Sequence, residues 1–136
     1  MLDGIGDTIR VSLTGDPVEE VKVGWEILKS LDLRERGIKI VSCPTCARSE
    51  IDVIKITKEI EKETQDIKKP LKIAVMGCPV NGLGEGREAD LAIVGGKDLT
   101  LMMKNGEIIH RAKEKEIFEI FKKELRKYIK KSWSKK

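Results

Sequence analysis

The sequence predicts an α/β (α+β) chain, on three observations. Short apolar runs of strand length recur at residues 38–41, 71–76 and 91–94. Longer stretches, 17–31 and 114–132, repeat apolar residues at helical spacing. Asn105-Gly106 stands between two further strand-like runs and is a strong two-residue hairpin signal.

Each element follows from local chemistry. Residues 8–13 alternate polar and apolar, with Ile9, Val11 and Leu13 on one side, and are expected to form the first strand. Asp16 suits a helix N-cap, Pro17 the first helical position, and Glu19 a capping box. Val18, Val21, Trp25, Leu28 and Leu31 then share a face that is expected to be buried. After Gly37 comes a strand at 38–41 that delivers Cys43. A second helix is expected from Ser49, with Asp52 three residues on and Val53, Ile56 and Ile60 inward, fading by about Thr64. Pro70 precedes the strand at 71–76, which delivers Gly77-Cys78. Residues 79–86, rich in Gly and Asn, read as a loop. A strand at 91–94, a hairpin of 100–103 and 107–111, and a helix at 114–132 complete the chain. That last helix would bury Ile117, Phe121, Leu125 and Tyr128.

The 136 residues fit one domain, or one domain plus part of another. Apolar residues make up 40%, enough for a core, and charged residues 37%, mostly Lys and Glu, as in heat-adapted proteins. The net charge is +4, and the surplus gathers at Lys122, Lys123, Arg126, Lys127, Lys130, Lys131, Lys135 and Lys136. Basic stripes can bind nucleic acid. Here the stripe shares a helix with Glu119 and Glu124 and lacks aromatics for base stacking, so a solvated face is the better reading. Docking of an acidic electron carrier stays open. No apolar run approaches the roughly 20 residues that span a bilayer. The first residues lack a signal-peptide pattern. A soluble, cytoplasmic protein with no nucleic-acid or membrane partner is therefore expected. Three cysteines in such a chain argue for metal or redox chemistry, not a disulfide framework.

Cys43-Pro44-Thr45-Cys46 is a C-x-x-C, and Cys78-Pro79 adds a third thiol. Cys43 and Cys78 both follow strands, and functional loops collect at the carboxyl ends of strands in open sheets. The two loops are expected to meet. Structural zinc usually takes four protein ligands. The single histidine, His110, reads as an ordinary sheet residue, so zinc would need an acid. A thioredoxin-like site needs its C-x-x-C at a helix N-terminus, whereas the helix signal begins only at Ser49. An iron–sulfur cluster uses all three thiols. Three thiolates would serve three irons of a [4Fe–4S] cube, and Glu85, closing the glycine-rich stretch, could reach the fourth. A carboxylate is a harder, more exchangeable ligand than a thiolate, so that iron could take a substrate oxygen. Glu85 as a plain surface acid remains the competing reading.

Val41-Ser42-Cys43-Pro44-Thr45-Cys46-Ala47-Arg48 and Val75-Met76-Gly77-Cys78-Pro79-Val80-Asn81-Gly82-Leu83-Gly84-Glu85 resemble the two cluster motifs of the 4-hydroxy-3-methylbut-2-enyl diphosphate synthase family. The resemblance extends to residues 4–13 and 16–24, to Arg87-Glu88-Ala89-Asp90 and to Gly95-Gly96, and so covers nearly the whole chain. It implies a reductive, iron–sulfur enzyme of non-mevalonate isoprenoid biosynthesis. Such an enzyme converts 2-C-methyl-D-erythritol 2,4-cyclodiphosphate to 4-hydroxy-3-methylbut-2-enyl diphosphate with electrons from ferredoxin or flavodoxin. It implies a homodimer whose TIM-type barrel binds the diphosphate and whose sulfite-reductase-like domain carries a [4Fe–4S] cluster. By this resemblance Cys43, Cys46, Cys78 and Glu85 are the ligands, Glu85 also acts in catalysis, and Asn81 stands behind them. Arg10 and Ser12 belong to the diphosphate-binding surface. Residues 1–36 would be the last strand–helix unit of the barrel, and 37–136 the cluster domain.

The family is much longer than this chain, and most of its barrel has no counterpart here. The chain is expected to bind a cluster and to turn over poorly alone. Pro79 stands where the family often has an apolar residue, with no expected effect on ligation. No side chain has a spacing that identifies a general acid. Two readings from other classes compete: a zinc-supported structural or interaction module, and a stand-alone electron-transfer domain.

Overall fold

The strand-length apolar runs assemble into one mixed sheet. The computed structural model describes residues 3–65 and 67–131, with the side chains of 129–131 outside the description. The chain divides into two compact units, one ending at Arg36 and one beginning at Gly37.

In the second unit, β1 (Ile38–Ser42), β2 (Leu71–Met76) and β3 (Leu91–Val94) run parallel. β4 (Thr100–Lys104) and β5 (Glu107–Ala112) add antiparallel strands, and the order is β1-β2-β3-β4-β5. β2 and β3 are near-continuous apolar runs because both faces of the sheet are covered there. On one face Ile73, Val75, Leu91, Ile93 and Met102 pack with α2 (Val53–Thr64) and α4 (Glu114–Lys131). Phe121 sits fully buried in that layer. On the other face Ala74, Met76, Ala92, Val94 and Met103 form a thinner layer beneath α3 (Pro79–Arg87).

The hairpin turns as expected: Asn105 and Gly106 have φ of 48° and 85°, the left-handed pair that two-residue hairpins require. A register shift follows Met102, which faces His110 while Met103 faces Ile108. His110 is exposed on β5, an ordinary sheet position. Ile117, Phe121 and Leu125 of α4 are buried and Tyr128 is half-buried, donating to Asp90 at 3.3 Å. Ser132, expected as the helix end, lies outside the described residues.

Five expectations are corrected. Residues 79–86 are not a loop but most of α3, with Pro79 in the first turn and Gly82 and Gly86 buried against the sheet. A Cβ on Gly82 would stand 2.3 Å from Val94 Cγ1, so these glycines set how closely the helix lies on β3. α2 starts at Val53 behind Asp52, whose side chain accepts from Lys55 N at 2.9 Å. Ser49 is not its start, because Ser49 N closes a turn on Cys46 O and Glu50 N is committed to Gly77 O.

The other three corrections fall in the first unit. No strand forms over residues 8–13, since no described strand supplies the backbone partners that a strand needs. α1 (Pro17–Ser30) is capped by Asp16, which accepts from Val18 N at 2.9 Å, but Glu19 pairs with Lys22 and closes no capping box. The expected buried face is also open: Val18 and Val21 are 56% and 62% exposed, and no residue of α1 is buried. Trp25 is half-buried beneath the Arg36 guanidinium, 4.7 Å from its ring centre.

The basic stripe of α4 is partly neutralised. Lys122 lies 3.4 Å from Glu63 and 3.5 Å from Glu119, and Lys127 pairs with Glu124 at 2.6 Å. The side chains of Lys130 and Lys131, and all of Lys135 and Lys136, lie outside the described residues. No helix among the described residues is long and apolar enough to cross a membrane.

Candidate functional site

The carboxyl end of the parallel strands is where the cysteine loops meet. Cys43 follows β1 directly and continues its pairing, donating its N–H to Val75 O at 3.2 Å. Its Sγ accepts the N–H of Gly77 at 3.1 Å, a bond that reaches the residue next to Cys78. Cys43 is half-buried and touches the cores on both faces of the sheet.

Cys78 is the N-cap residue of α3, with extended φ and ψ of −148° and 164°. It makes no side-chain capping bond and stands at the positive end of the helix. Cys46 is exposed, on the turn closed by Ser49 N to Cys46 O at 3.0 Å.

Two backbone hydrogen bonds hold these segments together. Glu50 N donates to Gly77 O at 2.8 Å, and Gly95 N donates to Met76 O at 2.7 Å. A Cβ on Gly77 would come within 2.3 Å of Ser49 Oγ. A Cβ on Gly95 would come within 2.2 Å of Gly77 O. Neither contact survives a larger residue without a shift of the chain. Ser49 Oγ is itself tied to Ile51 O at 2.9 Å, so it is not a free end that swings aside.

Glu85 and Asn81 are exposed on α3. Glu85 lies four residues after Asn81 and seven after Cys78, so all three occupy one stripe. Helical Cα–Cβ bonds tilt toward the N-terminus, which inclines Glu85 toward Cys78, about 10 Å away along the axis. The structure thus brings the Cys43 and Gly77-Cys78 loops together and leaves Cys46 and Glu85 open to solvent. Among the described residues, no three His, Cys, Asp or Glu side chains converge on one ion position. His110 is separated from β2 by two strands and takes no part. In the first unit, Arg10 and Ser12 are both exposed. The strand alternation expected to put them on one face is absent.

Sequence reading missed Ser49, Gly77 and Gly95. A glycine directly after each of two strands, one of them beside a cysteine, was the available signal.

The donor set suits a soft metal centre. Cys43, Cys46, Cys78 and Glu85 offer three sulfurs and one carboxylate. A backbone N–H on one sulfur and a helix N-terminus at another favour bound negative charge.

Fold and site together define a mixed-sheet α/β domain with cysteine-bearing loops at the carboxyl end of its parallel strands. Residues 39–127 match the family model of the GcpE protein C-terminal domain, and the chain belongs to that family. It is 55% identical to the 4-hydroxy-3-methylbut-2-en-1-yl diphosphate synthase (flavodoxin) of Caldanaerobacter subterraneus subsp. tengcongensis, over 93% of this chain and 36% of that protein. The proteins of the same name from Clostridium perfringens and Geobacter sulfurreducens are 57% and 52% identical, over 88% and 95% of this chain. They are covered over 34% and 36% of their own length, so the chain spans about a third of the curated relatives it matches.

Proposed function

We propose that this chain is the cluster-bearing part of a 4-hydroxy-3-methylbut-2-enyl diphosphate synthase, an oxidoreductase of non-mevalonate isoprenoid biosynthesis. The observation that carries the reading is identity above half over nearly the whole chain to synthases of that name. The substrate is 2-C-methyl-D-erythritol 2,4-cyclodiphosphate and the product 4-hydroxy-3-methylbut-2-enyl diphosphate. The relatives' names support flavodoxin as the electron donor, with ferredoxin as the substitute.

Cys43, Cys46, Cys78 and Glu85 are the ligands of a [4Fe–4S] cluster in this reading. When bound, the cluster supplies electrons for reductive opening of the cyclic diphosphate and a Lewis-acidic iron at the Glu85 corner. Glu85, exposed on α3, would be the most exchangeable of the four ligands, because carboxylates exchange more readily than thiolates. Asn81, one turn earlier on the same stripe, orients the Glu85 carboxylate. Cys43 and Cys78 are held by the backbone, and the exposed Cys46 closes onto them from its turn. Arg10 and Ser12 take the diphosphate, Arg by paired N–H bonds.

The second unit is then the sulfite-reductase-like cluster domain. Residues 1–36 are the last unit of a TIM-type barrel, and the homodimer sets each cluster domain against a partner's barrel. The open apolar side of α1 supports this, since a barrel helix packs inward on its ring. This stretch of chain alone binds the cluster and turns over little, in a cytoplasmic enzyme.

Anaerobic reconstitution with iron and sulfide tests the reading, with Mössbauer and EPR spectra of wild type and Glu85→Ala. About four irons and four sulfides per chain are expected, with one distinct iron that changes in the variant. Tight uptake of one zinc without any iron–sulfide assembly sinks it and leaves a structural module. An unaltered spectrum in Glu85→Ala removes Glu85 from the ligand set.

A further inference from the structure

Gly77 is used by the cysteine constellation in a way that ligand identity does not require. It lies between two ligand positions, is buried, and gives its N–H to the Sγ of the first of them at 3.1 Å. Its carbonyl accepts Glu50 N at 2.8 Å, so both of its backbone polar groups are engaged. Ser49 leaves no room for a side chain on Gly77, and the Gly77 carbonyl leaves none for a side chain on Gly95.

We infer that Gly77 is a positioning residue that tunes the reduction potential of the bound cluster through its N–H bond to Cys43 Sγ, with Ser49 and Gly95 holding the amide in place. This rests on the cluster reading above. The physical reason is charge. Reduction adds an electron to the cluster, and a donor fixed on a ligand sulfur stabilises the more negative state. A fixed amide also needs no reorganisation when the electron arrives. The bond therefore raises the potential and eases reduction by the donor protein. Loss of one such bond is expected to lower the reduced-to-oxidised ratio at fixed potential by up to about tenfold. For a one-electron couple tenfold is about 59 mV.

The geometry makes a specific demand. Ala at 77 keeps its own N–H but drives its Cβ into Ser49, moving the amide off the sulfur. Removing the Ser49 side chain relieves most of that clash and leaves the Ser49 Cα 3.2 Å from the methyl, a contact that a small backbone shift accommodates. So Gly77→Ala lowers the potential, and Ser49→Gly added to it brings the potential back toward wild type. A residue that merely stabilises the loop predicts no such rescue of potential.

The test uses the reconstituted chain grown with 15N-glycine. Pulsed EPR of the reduced cluster reads coupling to a glycine amide nitrogen, and a redox titration reads the midpoint. Expected are a 15N coupling in wild type that disappears in Gly77→Ala, a lower midpoint in that variant, and recovery of the midpoint in Ser49→Gly/Gly77→Ala. Should neither variant assemble a cluster, the wild-type coupling decides: its presence supports the bond and its absence overturns it. Wild type that holds the cluster without glycine coupling, or a folded Gly77→Ala of unchanged midpoint, overturns this inference and leaves the cluster reading standing. Wild type that takes up no iron and sulfide overturns both.

Discussion

α1 and α4 are both amphipathic helices, yet they end in different states. α4 buries Ile117, Phe121 and Leu125 in the layer above the sheet. α1 presents Val18 and Val21 largely to solvent and has no buried residue. Every buried residue among those described lies in the second unit. The helices differ less in pattern than in what their units provide. Burial stabilises a helix only where a second layer receives its apolar face. The second unit has a five-stranded sheet for that purpose, and the first has none of its own.

The largest expected effect sharpens this contrast. Phe121→Ala should cost about 3–5 kcal/mol in urea denaturation of the chain, from lost burial and the cavity left behind. Val21→Ala, on the open side of α1, should fall within about 0.5 kcal/mol. A loss above 2 kcal/mol at Val21 would show that its side chain is covered in solution and would break the comparison.

The next effect tests close packing inside the second unit. Gly82→Ala should destabilise by about 1–3 kcal/mol, because its methyl meets Val94 in a filled layer. Gly84→Ala, in the same helix with open space around it, should stabilise by about 0.5–1 kcal/mol through helix propensity. Thermal melts of the two variants should therefore shift in opposite directions. Equal shifts would mean that α3 does not lie on the sheet as described.

The smallest effect is electrostatic. Glu124 is 14% exposed, and hydrogen bonds from Lys127 and then Lys104 hold its carboxyl below the usual range. Its contribution is present above the ordinary carboxylate value and is lost as pH falls through the depressed folded value. Glu124→Gln should flatten the acid side of the stability curve by under about 1 kcal/mol. Glu19→Gln in α1 should leave the curve unchanged. Its Lys22 pair is exposed on both sides, although the Glu19 hydrogen bond raises the lysine.

Much of the second unit was legible before any coordinates. β2 and β3 could be read to the residue because strands covered on both faces carry nearly continuous apolar side chains, broken here only by Lys72. The Asn105-Gly106 turn was legible because few other pairs accept two positive φ angles. Both are local demands, met by residues adjacent in the chain. The meeting of the Cys43 and Cys78 loops followed from strand ends in a parallel sheet, and the pairing of Ser42 with Val75 realises it.

What only the tertiary structure decided was non-local. Three glycines with a proline look like a loop in isolation, since each glycine weakens a helix. In place, Gly82 and Gly86 let α3 settle onto Ala92, Val94 and Met103, and that packing outweighs their propensity. Residues 8–13 carry a strand pattern and form no strand, because alternation supplies side chains and only a neighbouring strand supplies hydrogen-bond partners. The sequence by itself determined which residues carry sulfur and where the chain turns. The fold decided which of those sulfurs meets a backbone donor, because that contact joins residues 34 positions apart through a sheet that neither segment encodes alone.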